Sequence, residues 1–192
     1  MFKTVMLSLC MILVGLLPGG SSVQAQEDVD AQELGESLVS ALKDQDLVAY
    51  SQCWLGGRQA LHALKDVGVE MPAEDQEGLR QYYRDRNRAV VESFEDIQAL
   101  IEEKGIARAD IELVKCTAQQ VQEEDAPKGK LKQAGGFEIV MKAGGDEWRL
   151  GVDDGAFIGG LWYCSDRPVN LFYDEEVLSF EDYKETGETA VD

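Results

Sequence analysis

Apolar residues recur at helical spacing through the first half of the chain and at a spacing of two through the second. Leu34, Leu38, Ala41 and Leu42 share one face of a helix over about 31–43. Asp30 followed by Glu33 supplies both partners of a capping box at its start. Asp44-Gln45-Asp46 breaks this helix. Asp46 caps a second one, with Leu47, Tyr50, Ser51 and Trp54 on its apolar face and Gly56-Gly57 as its end. Residues 58–67 make a short amphipathic turn or helix through Leu61, Leu64 and Val67. Pro72 suits a first helical position, and Glu74, Asp75 and Glu77 suit the positive end of a helix dipole. The spacing then predicts a long helix over about 73–104. Its stripe runs through Leu79, Tyr82, Tyr83, Val90, Phe94, Ile97, Leu100 and Ile101, and Gly105 stops it.

Beyond Gly105 the pattern is that of strands. Ile111-Glu112-Leu113 alternates, and the apolar phase then slips to Val114, Cys116 and Ala118, which predicts a bulge near Leu113–Val114. Gln122 to Lys130 reads as a polar loop. Phe137, Ile139 and Met141 form one face of the next strand, Gly144-Gly145-Asp146 a hairpin turn, and Trp148, Leu150 and Val152 one face of the strand after it. Asp153-Asp154-Gly155 reads as the next turn and Ala156 to Cys164 as the last strand. The expectation is an α+β domain, with three N-terminal helices on a curved antiparallel sheet of about four strands. It spans 26–164. Residues 165–192 read as an acidic tail with nine acids and two bases, whose apolar first half, Leu171 to Phe180, can dock and whose end is disordered.

Two stretches carry a family resemblance. Leu38-Val-Ser-Ala-Leu-Lys-Asp-Gln-Asp-Leu-Val-Ala-Tyr50 is similar to an opening helix pair broken at an Asp. Gly144-Gly-Asp-Glu-Trp-Arg-Leu150 is similar to a hairpin with a Trp just after the turn. Both features, with a long third helix feeding a bulged strand, resemble the nuclear transport factor two-like superfamily, which includes the SnoaL-like and ketosteroid-isomerase-like proteins. The resemblance covers roughly 30–164. It implies a sheet wrapped round the helices as a cone, whose mouth often holds a small ligand. The superfamily's enzymes place an acid or His base inside the cone, opposite a Tyr or Asp that donates to an oxyanion. Neither role aligns with a residue of this chain, so the resemblance implies binding rather than catalysis.

The first 25 residues change the picture of the compartment. Lys3, an apolar run from Val5 to Leu17, Pro18-Gly19-Gly20 and Val23-Gln24-Ala25 form the three-part layout of a signal peptide, so the mature chain is expected to begin at Gln26 and to be secreted or periplasmic. The run is short for a bilayer span, and no membrane association is expected after cleavage. Residues 26–192 carry 17 basic and 37 acidic side chains, a field that repels nucleic acid and favours solubility, cations or basic partners. Cys53, Cys116 and Cys164 allow one disulfide in any of three pairings, or three buried thiols.

Candidate chemistry is sparse. His62, the one histidine, has no nucleophile or orienting acid near it in sequence and reads as a polar residue of a short helix. No metal spacing and no cofactor motif is present, and the glycines of Gly155-Ala-Phe-Ile-Gly159-Gly160 read as a bulge or close packing. Arg80, Arg84 and Arg88 share a stripe with acids three or four residues away, the pattern of a salt-bridged exposed face. Arg86 differs. At 100° per residue it falls inside the apolar stripe with Tyr83 and Val90. A guanidinium facing the core needs acceptors. It has either a snorkelled head or a carboxylate partner, or it orients an anionic ligand at the cone mouth. Arg86, Tyr83, Tyr50, Trp54 and Trp148 are the candidate ligand-binding residues, and Trp162 and Tyr163 can line the same pocket. The reading is an exported, non-catalytic binding or accessory domain for a small ligand or a partner protein. One alternative is an isomerase, dehydratase or hydrolase with its site inside the cone, and another is a structural homodimer module.

Overall fold

The computed structural model describes residues 27–143, 145–173 and 176–179. The expected signal peptide and the end of the acidic tail lie outside them. The described residues begin with a short strand, β1 (Glu27–Asp30), ahead of the first expected helix. Helices α1 (Gln32–Asp44), α2 (Leu47–Gln52), α3 (Gly57–Asp66) and α4 (Ala73–Glu103) follow. Strands β2 (Glu112–Ala126), β3 (Gly129–Ala143), β4 (Asp146–Ile158), β5 (Leu161–Cys164), β6 (Pro168–Tyr173) and β7 (Glu176–Ser179) complete it. All pair antiparallel in one open sheet of order β1-β2-β3-β4-β6-β7, with β5 on β4 beside β6.

The class is α+β, but the counts exceed the expectation of three helices and about four strands. The stretch before the long helix is a full helix, α3. Gly56 is its N-cap, so the glycine pair opens α3 instead of ending α2, which stops at Gln52. The capping box at Asp30 does not form. Ala31 is the N-cap of α1, and Asp30 instead accepts the Gln32 amide at 2.8 Å. Asp46 does cap α2, accepting the Ala49 amide at 2.9 Å. Pro72 sits one position earlier than expected, as the N-cap of α4.

Three strand boundaries also move. Gln122–Lys130 is a continuous two-stranded ribbon, not a loop. One side of it is acidic and the other basic, with Lys130 paired to Glu123 at 3.0 Å. Asp153-Asp154-Gly155 lies inside β4. The reversal comes at Gly159-Gly160, whose φ values of 61° and 90° only glycine takes readily. Gly155 serves packing: it leaves the space that the Phe137 ring occupies, and a Cβ there would overlap that ring. Gly155→Ala should therefore destabilise by about 2 kcal/mol, as overpacked cores do. Phe137→Leu in the same chain should recover part of that loss in urea titrations. Finally, β6 and β7 fall in the stretch read as tail, so the sheet continues past Cys164.

Two apolar clusters fill the fold. The larger joins α1, α2, the later part of α4 and the sheet through Leu38, Leu42, Tyr50, Trp54, Phe94, Ile97, Ile139, Met141, Trp148 and Leu150. The smaller gathers α3 and the start of α4 through Leu55, Leu64, Leu79, Tyr83, Leu131 and Ala156. The expected bulge is present, between Leu113 and Lys115.

Candidate functional site

Arg86 lies on α4 between Tyr83 of the smaller cluster and Val90 of the larger, and is 5% exposed. The helix phase read from the sequence therefore holds. The head is not snorkelled, and it forms no ion pair with a carboxylate among the described residues. Nη1 donates to the Ser165 carbonyl at 3.2 Å and Nη2 to Asn87 Oδ1 at 2.6 Å. The guanidinium sits 4.7 Å from the centre of the Tyr83 ring. Nε meets no acceptor among the described residues. Burial lowers the guanidinium pKa from its ordinary value, opposed by Tyr83, Tyr82, Cys164 and Asp166.

These contacts pin the link between β5 and β6. Trp54 Nε1 donates to the Asp166 carbonyl at 2.8 Å, and the Ser165 amide to the Asp154 carbonyl at 3.0 Å. The Cys164 amide reaches the Cys53 carbonyl, and the Leu55 amide reaches the Cys164 carbonyl. Three short segments, distant in sequence, thus meet at one buried seam: the end of α2, the middle of α4 and the β5–β6 link.

The other candidate residues divide. Tyr50 is wholly buried against Trp54 and Phe94, at ring-centre distances of 4.6 and 4.9 Å. Burial raises its hydroxyl pKa. Trp148 is buried in β4, paired across the backbone with Met141 and Tyr173. Both belong to the core. Cys53, Cys116 and Cys164 are free and buried, and burial pushes the first two thiols up to about 12 and the third well above its ordinary value. The disulfide alternative is therefore not adopted. His62 is exposed on α3, and no group of metal ligands occurs among the described residues. Arg80 pairs with Glu77 at 3.2 Å and Arg88 with Glu92 at 3.0 Å, as the spacing suggested, and Arg84 reaches the same Glu77 at 2.8 Å from seven residues away.

Trp54, Trp162 and Tyr163 meet in a place the sequence did not indicate, a broad open groove of about 1440 Å³ on the surface. One wall is the end of β1, the exposed face of α1 and the loop after it, bearing Asp30, Glu33, Glu36, Asp44 and Asp46. The opposite wall is the β4–β5 hairpin, with Phe157, Leu161 and Trp162. Phe157 and Leu161 are 36% and 45% exposed. Their neighbour Trp162 packs on the Phe157 and Phe137 rings at 5.2 and 5.7 Å. Lys132 stands over the Phe157 and Trp162 rings at 5.1 and 5.5 Å. None of the five acids has an ion-pair partner among the described residues; their contacts are to amides, hydroxyls and Gln32. The two walls come from residues more than a hundred positions apart, so no local pattern marks the groove. In comparisons with protein-family models, curated proteins and solved structures, nothing matches this chain.

Proposed function

We propose that this chain is an exported, non-catalytic domain that binds a partner protein on its surface. The superfamily that the sequence resembles would place a ligand in the space between the helices and the sheet. The observation that carries the reading is how that space is used. Tyr50, Trp54, Phe94, Phe137, Ile139, Met141, Trp148 and Leu150 fill it, each 6% exposed or less. A small-molecule site needs a concave cavity with a few polar groups converging on it. A broad open space lies instead on the outside, the groove of about 1440 Å³ between α1 and the β4–β5 hairpin. Arg86 fits this reading as a structural clamp on the β5–β6 link. Export rests on the layout of residues 1–25.

Titration with the neutral apolar dye Nile red tests the filled interior. The native protein should show no saturable uptake beyond what Leu161→Ser removes from the groove wall. A one-to-one uptake that survives Leu161→Ser would place the dye among the core side chains, and the partner-binding reading would give way to a small-molecule one.

A further inference from the structure

Resting on that reading, we infer that the groove between α1 and the β4–β5 hairpin takes a basic amphipathic segment of the partner. The two walls ask for two different faces. Glu33 and Glu36 stand exposed on one side with no cation paired to them, although the chain pairs acids elsewhere, as at Glu77, Glu92 and Glu123. Phe157 and Leu161 stand exposed on the other, over the buried Trp162 and beside the single cation of Lys132, and offer a small apolar surface. An occupant with Lys or Arg along one face and Leu or Phe along the other satisfies both walls at once. This is the helix-in-groove mode of recognition, with charge setting the orientation. A uniformly basic chain would leave the aromatic wall wet, and a uniformly apolar one would leave the carboxylates desolvated without partners.

The probe is a labelled Leu/Lys peptide of about 14 residues, four helical turns, followed by anisotropy. Two counterparts carry Gln or Glu in place of every Lys. Wild-type protein should bind the Lys peptide at least tenfold more tightly than the Gln form, with no binding of the Glu form. Glu33→Lys/Glu36→Lys should weaken binding tenfold or more, and so should Phe157→Ser/Leu161→Ser. Asp75→Lys/Glu95→Lys makes the same change of net charge on exposed positions of α4 outside the groove, and should leave binding within about twofold. Equal loss from both charge pairs would mean general attraction to an acidic protein and would overturn the inference. Equal binding of the Lys and Gln peptides, lost in Phe157→Ser/Leu161→Ser, would leave the groove as a protein-binding site but refute its preference for a basic face. No binding of any of the three peptides would remove the groove as a docking site altogether.

Discussion

Raising the pH from 8 to 10.5 should strip this protein of several kcal/mol of stability. Cys53 and Cys116 are buried, and burial lifts their thiols from 9.0 to about 12; Cys164 is lifted as well. In the unfolded chain these thiols ionise near pH 8.5–9, while in the folded protein they keep their protons. The folded state thus binds more protons than the unfolded one above pH 9, and stability falls as pH rises. Stability from this source is complete below the unfolded pKa and is lost progressively towards the folded one. Each thiol contributes a slope of up to about 1.4 kcal/mol per pH unit. Three together are large against a total of about 5–15 kcal/mol. Tyr50, raised from 10.0 by burial, adds to the loss at the upper end. Urea unfolding at intervals between pH 8 and 10.5 measures the slope. The triple variant Cys53→Ala/Cys116→Ala/Cys164→Ala controls for general charge repulsion, and its slope should be far shallower. A wild-type curve as flat as the variant's would mean that the thiols are solvated or bonded to one another. The same burial keeps them unreactive to aromatic disulfide reagents until the chain unfolds.

What the sequence made legible was local and periodic. The α4 stripe identified Leu79, Tyr83, Val90, Phe94, Ile97 and Ile101 as buried, and it placed Arg86 among them. The phase slip after Leu113 marked a bulge because an extra residue must flip every later side chain to the other face. The misreadings came where one chemistry serves two ends. Asp153-Asp154-Gly155 has the composition of a turn. There, however, Asp154 takes a φ of 54° within the strand, and Gly155 makes room for a ring from β3. Gly159-Gly160, read as packing, is the turn. The Gln122–Lys130 ribbon is built mostly of charged side chains, so it has no apolar alternation by which to recognise it. The groove was illegible for a different reason. Its acids belong to α1 and its aromatic residues to a hairpin more than a hundred residues later, and each set alone reads as an ordinary solvated face or an ordinary core.

At Arg86 the stem and the head of one side chain should prove to do opposite things. The stem bridges the two apolar clusters, and its removal in Arg86→Ala should cost about 3 kcal/mol, within the range for large buried truncations. The head is a more balanced matter. It supplies the Ser165 carbonyl and Asn87 Oδ1 with donors and rests on the Tyr83 ring. Leaving the buried Ser165 carbonyl unpaired costs about 1–3 kcal/mol. Against that, among the described residues no carboxylate lies in ion-pair range of the desolvated charge and none accepts from Nε, so the head carries a penalty of several kcal/mol before any contact is made. Arg86→Met keeps most of the stem and removes both the donors and the penalty. The net loss should be under about 1 kcal/mol, well short of the ~3–5 kcal/mol that follows when one partner of a true buried ion pair is removed. Thermal and urea unfolding of the two variants side by side decide the matter. If Met costs as much as Ala, the head is worth more than its contacts explain, and a carboxylate such as that of Asp166 must close on it in solution. If Met leaves stability untouched while hydrogen exchange quickens over 164–168, the guanidinium's whole task is to hold the β5–β6 link in place.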